Sequence, residues 1–233
     1  MLSFEHVPPK VAFNKNTKYL SVPFEEYTKI QNPIKEKIKG KHKQGGVGYN
    51  SLCIDCNNFL GSNYVNAYIK WVYGGAEVIK KYNFQFNKYN LLEQEPLKIL
   101  KQIISMFISI NNEFYLKAYP ELAEFVLNPD SNNLPDRYRV FTYLNDEGGM
   151  RYSHHSVASI PYVGIVNCTE ITFPPYGYVL LFDFDKKLTL LNEITHYKNY
   201  IKTDVVTLEM EMYKLPTYST WPLDYRTKSP PHF

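Results

Sequence analysis

Two segments of the sequence decide the predicted fold: Glu5-His6-Val7-Pro8-Pro9-Lys10 near the start, and Cys53-Ile54-Asp55-Cys56-Asn57-Asn58 further along the chain. Pro8 and Pro9 have no backbone N–H to donate to a β-ladder, so a strand that contains Glu5 and His6 ends before them. The Cys-x-x-Cys segment is typical of a turn that opens a helix. The sequence therefore predicts an acid and a histidine at a strand exit, and Asn57 at the start of a helix.

These residue types point to phosphodiester chemistry. Hydrolysis of a phosphodiester needs a base that activates water and a cation that neutralises charge on the phosphate and the leaving oxygen. Glu5 and Asn57 offer oxygen ligands for a divalent cation, and His6 offers an imidazole base. We interpret the two segments together as the site of a metal-dependent nuclease. The alternative for a Glu-His pair alone is an exposed dipeptide on an N-terminal strand.

The chain has three cysteines, of which Cys53 and Cys56 have the spacing of half a structural zinc site. Two thiolates alone do not close a tetrahedral site. Cys168 lies in a segment, 164–171, that is typical of a buried strand, and is interpreted as a core thiol. Three cysteines without a signal peptide argue against a disulfide framework and for a reducing, cytoplasmic location.

The order of these motifs resembles that of the HNH endonucleases. The Glu-His-Val-Pro-Pro-Lys strand is followed by a basic loop, by Gln44-Gly45-Gly46-Val47-Gly48-Tyr49 and by a segment, 52–68, that carries both cysteines and Asn57. The resemblance covers residues 1–74 and implies a ββα-metal fold with a Cys-x-x-Cys zinc knuckle. It implies that His6 is the general base and that Glu5 and Asn57 bind the catalytic cation. Asn50 is implied to brace the loop, with Tyr49 and Ser51 as alternatives.

One departure from the family concerns zinc. Relatives with this knuckle usually carry a first Cys-x-x-Cys before the Glu-His strand, where this chain has Met1-Leu2-Ser3-Phe4. Either the reading frame begins at an internal methionine, or zinc has been lost and Cys53 and Cys56 are packing residues. We therefore expect Mg²⁺, or another divalent cation such as Mn²⁺ or Ni²⁺, as the catalytic cofactor, and little or no tightly bound Zn²⁺.

Charge is concentrated near the predicted site. The whole chain has a formal net charge of +3, whereas residues 1–43 contain nine lysines and four glutamates. The lysines predicted to contact phosphates are Lys10, Lys37, Lys39, Lys41 and Lys43. The alternative is a solvated loop. A second basic group, which brackets two predicted strands, consists of Arg137, Arg139, Arg151, His154 and His155. One interpretation of this group is a phosphate-contacting cluster, and the preferred alternative for the tandem histidines is an exposed pair.

The rest of the pattern predicts an α+β fold with a mostly antiparallel sheet. We expect helices over about 57–73, 95–111 and 113–127, the last broken at Pro120. Predicted strands cover 2–7, 19–22, 138–144, 157–166, 170–173, 178–184 and 205–212. Gly74-Gly75 suggests a boundary between an HNH-like domain, 1–74, and an α+β domain, 75–233. No apolar stretch reaches the length of a membrane span.

Two functions from different classes fit the sequence. The preferred one is an endonuclease that cuts DNA, in preference to RNA, with His6 as the base. The alternative is a degenerate HNH-like module that binds nucleic acid or protein without catalysis, as in phage–host conflict. The missing half of the knuckle favours the alternative, whereas catalysis requires that Glu5, His6 and Asn57 come together.

Overall fold

The computed structural model describes residues 1–21, 29, 39–81, 86–146, 150–160 and 163–215. Its strands are β1 (Leu2–His6), β2 (Lys18–Ser21), β3 (Lys41–Gln44), β4 (Gly48–Cys53), β5 (Phe86–Gln94), β6 (Tyr138–Leu144), β7 (Arg151–Ile160), β8 (Gly164–Phe173), β9 (Tyr176–Phe182), β10 (Asn192–Glu193) and β11 (Val206–Tyr213). Its α-helices are α1 (Ile54–Asn63), α2 (Val65–Lys81), α3 (Pro96–Ile110), α4 (Glu113–Ala118) and α5 (Pro120–Leu127). Short helical turns cover Lys10–Asn14 and Thr195–Asn199. Mixed helices and antiparallel pairing confirm the predicted α+β class.

The central sheet has the strand order β10-β6-β9-β8-β7, and its neighbours are antiparallel. Strand β9 is buried along its whole length. Its alternate residues Tyr176, Tyr178 and Leu180 pack in the large hydrophobic core with the helices, while Val179 and Leu181 pack in a smaller core on the other face. A strand buried on both faces is continuously apolar in sequence, which explains why this region was predictable as sheet.

Helix α3 runs through the large core. Pro96 occupies its first turn, where a missing N–H costs nothing, and nearly every residue after it is buried. Lys101 is among them, and its ammonium donates to the carbonyl oxygens of Phe125 and, at 2.9 Å, Asn128. These bonds satisfy carbonyl groups at the end of α5, and burial lowers the pKa of Lys101 to about 8. The helix predicted over 95–111 is confirmed, with more burial than a one-sided pattern predicts.

The helix predicted over about 57–73 is two helices with different bounds. Helix α1 begins directly after β4 because Cys53 caps it, and Tyr64 separates it from α2. Gly74 and Gly75 lie inside α2, so the predicted domain boundary falls within a helix. A Cβ on Gly75 would lie 2.4 Å from the ring of Tyr176, so this glycine lets α2 approach the sheet closely. Residues on both sides of the predicted boundary share the large core.

Several other predictions are settled by these elements. The break at Pro120 is confirmed, because α4 ends at Ala118 and α5 begins at Pro120. The predicted strand near 19–22 is β2, which pairs with β3. Strand β5, which pairs with β11, was not predicted. No helix in the described parts of the chain is both long and apolar enough to cross a membrane.

Candidate functional site

The two segments that decide the predicted fold lie side by side. Strand β1 pairs with β4 in antiparallel register, with Glu5 opposite Tyr49 and His6 opposite Gly48. A Cβ on Gly48 would lie 2.1 Å from the carbonyl oxygen of Glu5, so only glycine allows this approach of the two strands. Helix α1 follows β4 without a loop and contacts β1. Strands β1 and β4 and helix α1, which carry Glu5, His6 and Asn57, are therefore neighbours in space, with β2 and β3 between β1 and β4 in the chain.

Glu5 is a buried carboxylate. The residue is 9 % exposed, and no described residue forms a hydrogen bond or ion pair with its side chain. Desolvation raises its pKa from 4.5 to about 7, and no charged side chain among the described residues offsets that cost. A buried acid without a described partner is unfavourable for folding, and a bound cation would remove the penalty.

Asn57 lies on the same face of β1 as Glu5. Its side-chain nitrogen donates to the hydroxyl of Ser3 at 3.1 Å and to the carbonyl oxygen of Phe4 at 3.3 Å. Side chains alternate along a strand, so Ser3 and Glu5 share a face of β1. The amide nitrogen anchors α1 to β1, which leaves the amide oxygen of Asn57 as the group able to bind a cation.

His6 lies on the other face, at the last residue of β1. Its ring contacts the ring of Phe4 edge-on at 4.9 Å, as expected for residues two apart on a strand. Its Nε2–H donates to the carbonyl oxygen of Gly45 at 3.2 Å. A carbonyl oxygen accepts and never donates, so this bond fixes the proton on Nε2 and leaves the lone pair on Nδ1. The imidazole is therefore oriented as a base.

Glycines shape the loop against His6. Gly45 and Gly46 have φ values of 96° and 106°, in the left-handed region that favours glycine. A Cβ on Gly46 would lie 2.8 Å from Cδ2 of His6 and 2.6 Å from the backbone oxygen of Asn14. Side chains at this position are therefore excluded by both strain and contact.

The loop is braced by Asn14, not by Asn50. Asn14 is fully buried; its amide nitrogen donates to the carbonyl oxygens of Pro8 at 2.7 Å and Val47 at 2.8 Å, and its oxygen accepts from the Val47 N–H at 2.8 Å. Asn50 is exposed on β4, opposite Phe4. The predicted bracing role of Asn50 is corrected, because β4 turns this side chain outward. No motif in the sequence marked Asn14, whose partners are backbone groups of Pro8 and Val47.

The alternatives for the brace do not fit either. Tyr49 packs towards Tyr152, with ring centroids 6.1 Å apart, and burial raises its pKa to about 12. The hydroxyl of Ser51 is buried without a hydrogen-bond partner in the described part of the structure. Tyr152 supports the site from the central sheet, because its hydroxyl donates to the carbonyl oxygen of Val7 at 2.6 Å.

Cys53 and Cys56 are both free and half-buried at the start of α1. The sulfur of Cys53 caps the helix by accepting from the Cys56 N–H at 3.2 Å. The Cys56 thiol also donates to Cys53, which lowers the pKa of Cys53 and raises that of Cys56 to about 11. Within the described ranges, no group of three or more His, Cys, Asp or Glu side chains is placed to hold a metal ion. Cys168 is fully buried in β8, far from solvent.

The described lysines of the basic segment are exposed. Lys41 and Lys43 lie on β3, Lys39 precedes it, and Lys10 lies in the turn after β1. Lys37 lies outside the described residues. Strand β3 pairs with β2, which brings exposed Lys18 opposite Gln44 and forms a two-stranded basic ribbon.

The arginines of the second basic group are paired within the fold. Arg137 is paired with Asp183 at 2.9 Å and Arg139 with Glu193 at 2.6 Å. Arg151 is buried beside Glu170, with 3.7 Å between a guanidinium nitrogen and the carboxylate. Each guanidinium already faces a carboxylate, which does not favour a role of these arginines in binding phosphate.

Comparison with known proteins finds no significant match. No family model matches the chain, and neither a curated protein nor a solved structure matches it significantly.

Proposed function

We propose that this protein is a metal-dependent endonuclease whose β1, β4 and α1 form an HNH-like ββα-metal unit. The observation that carries the proposal is Glu5, a buried carboxylate without a described partner. It shares a face of β1 with Asn57 and is next in sequence to an oriented imidazole, His6. A buried carboxylate without a described partner costs stability, whereas a bound cation would neutralise its charge.

The residues fit a divalent cation. The carboxylate of Glu5 and the amide oxygen of Asn57 would hold it, and both are oxygen ligands of the kind that Mg²⁺ and Mn²⁺ prefer. Such a cation neutralises charge on the phosphate and on the leaving oxygen. Nδ1 of His6 accepts the proton from the attacking water, while Gly45 holds the opposite ring nitrogen. Because β1 ends at His6, a phosphate at this end meets groups from both faces of the strand.

The basic ribbon of β2 and β3 supports a nucleic-acid substrate. Its lysines are exposed and lie in the same part of the chain as the site. Lysine contacts to phosphates release counterions and give sequence-independent affinity. We propose DNA as the substrate in preference to RNA.

Cleavage should depend on a divalent cation. We expect that Mg²⁺ or Mn²⁺ starts nicking or cutting of duplex DNA, and that EDTA stops it, because Glu5 and Asn57 supply no positive charge to stabilise the transition state. Conversion of supercoiled plasmid to nicked and linear forms measures this. Equal cleavage in EDTA would contradict the proposal.

DNA affinity should fall steeply with salt. Replacement of Lys39, Lys41 and Lys43 by Ser should reduce the slope of log affinity against log salt by about 0.9 for each phosphate that a lysine no longer neutralises. Fluorescence anisotropy with a labelled duplex in EDTA measures binding without cleavage. The matched control replaces Lys70, Lys80 and Lys187, which are exposed elsewhere. If both triple variants keep the wild-type slope, the ribbon is a solvated surface.

A binding module without catalysis is the second candidate. It is favoured by one observation: Glu5 and His6 lie on opposite faces of β1, as the edge contact between Phe4 and His6 indicates. This protein would bind DNA with the same salt dependence but would leave the plasmid intact in Mg²⁺ and Mn²⁺.

A further inference from the structure

The Cys53–Cys56 pair has the arrangement of a redox-active dithiol. Cys53 is the N-cap of α1 and Cys56 lies one turn later, so the two sulfurs lie on the same side of the helix start. The Cys53 sulfur accepts a hydrogen bond from the backbone N–H of Cys56 at 3.2 Å, which holds it against the turn that carries Cys56. Both residues are half-buried, and therefore accessible to small reagents.

The position of Cys53 gives the two sulfurs different roles. Cys53 is the N-cap of α1 and its sulfur accepts the backbone N–H of Cys56, and both features stabilise a thiolate at this position. Cys56 lies one turn further into the helix and is placed to react second. An attacking sulfur at a helix N-terminus with a second thiol beside it is the arrangement that thiol–disulfide exchange requires.

Cys168 offers a contrast within the same chain. It is fully buried in the smaller core between β7 and β9, where it packs with Phe141 and Leu181. No small reagent reaches it while the sheet is intact. The third cysteine is therefore an internal control for any reaction of the other two.

We propose that Cys53 and Cys56 form a site of reversible thiol–disulfide exchange with low-molecular-weight disulfides such as oxidised glutathione. Cys53 attacks one glutathione sulfur, the glutathione S–S bond breaks, and one glutathione thiolate leaves. Cys56 then attacks the Cys53 sulfur, and the second glutathione thiolate leaves as the Cys53–Cys56 bond forms. The two protons of the dithiol pass to the two glutathione thiolates, so the protein is oxidised by two electrons and the glutathione disulfide is reduced.

This site does not depend on the proposed nuclease function, because none of its steps uses Glu5, His6 or a cation. Its position does link it to the fold. The pair lies at the junction of β4 and α1, where Cys53 also pairs in register with Leu2 of β1. A disulfide there covalently closes the first turn of the helix that carries Asn57.

The test is oxidation of the native, reduced protein with excess oxidised glutathione at pH 8, followed by acid quenching, alkylation after unfolding and peptide mass mapping. We expect each oxidised chain to be lighter than the reduced chain by the mass of two hydrogen atoms before alkylation. Cys53 and Cys56, which lie on the peptide between Lys43 and Lys70, should be protected from alkylation, and Cys168 should be fully alkylated. Dithiothreitol should reverse the change. Cys56→Ser should instead accumulate one glutathione on Cys53, because no second thiol resolves the mixed disulfide. Cys168→Ser is the matched control and should oxidise like the wild type.

Three results would overturn the proposal. The first is that both thiols of the wild type remain alkylatable at saturating glutathione disulfide. The second is a disulfide between chains, or one that includes Cys168. The third is that the thiols react only after a chelator has removed a bound metal, which would make the pair a structural metal site.

Discussion

Replacement of Glu5 by Gln is expected to stabilise the folded protein, by about 1–3 kcal/mol at pH 8 in the absence of divalent cations. The pKa of Glu5 is about 7 in the folded protein against an ordinary value of 4.5. The folded state therefore binds a proton more tightly than the unfolded state does, so stability is lost as the pH rises from 4.5 to 7 and stays low above pH 7. Gln has nearly the same shape without the charge.

Urea unfolding of both proteins at pH 4 and pH 8, in EDTA, measures this effect. The two free energies of unfolding should agree at pH 4, where the Glu5 carboxyl is mostly protonated in both states, and diverge at pH 8. Glu77→Gln is the matched control, because Glu77 is exposed on α2. Destabilisation by Glu5→Gln at pH 8 would show that the carboxylate has a favourable partner, and would remove the argument for a cation.

Replacement of His6 by Ala is expected to lower the rate of DNA cleavage by about 10²–10⁴-fold, the usual contribution of a general base. The fold should be kept, because the His6 side chain is half-buried and its described contacts are with Gly45 and Phe4. Single-turnover cleavage of plasmid at saturating Mn²⁺ measures the rate, and circular dichroism with thermal unfolding checks the fold.

His42→Ala is the control for this change, because His42 is an exposed histidine on β3 in the same part of the chain. It should cleave at the wild-type rate. Unchanged turnover in the His6 variant would remove His6 from the reaction, even if cleavage still required a cation.

The elements that the sequence predicted correctly have local signals. Pro8 and Pro9 end β1 wherever the rest of the chain lies, because a ring nitrogen does not donate to a ladder. Pro96 and Pro120 mark helix starts for a related reason. The start of α1 was predicted three residues late, because a cysteine is a weak cap in sequence although Cys53 caps this helix in the structure.

Some features could not be predicted because they depend on packing between distant parts of the chain. Gly74-Gly75 was interpreted as a boundary, whereas the structure uses Gly75 for close packing against Tyr176. A glycine pair has the same appearance in sequence in both cases, and only the approach of the sheet distinguishes them. Strand β5 was not predicted because its apolar residues, Phe86, Tyr89, Leu91 and Leu92, do not alternate regularly with polar ones.

The candidate site was predictable only in part, because the relation between its residues depends on contacts between distant parts of the chain. Glu5, His6 and Asn57 were found from residue type and spacing, but their relation depends on the register of β1 with β4. The brace at Asn14 bonds to backbone groups, which leave no signature in side-chain identity. The ion pairs of Arg137 and Arg139 depend on Asp183 and Glu193, which lie more than forty residues later.

The most direct test of the cation site is a titration of the DNA-free protein with Mn²⁺ at pH 8, in which the electron paramagnetic resonance signal reports the free ion. We expect the wild type to bind one ion per chain and Glu5→Gln to lose that site. The affinity of the wild type for Mn²⁺ should fall by about tenfold for each pH unit below pH 7, because a proton and the cation compete for the same carboxylate. No uptake by the wild type, or equal uptake by Glu5→Gln, would contradict the account.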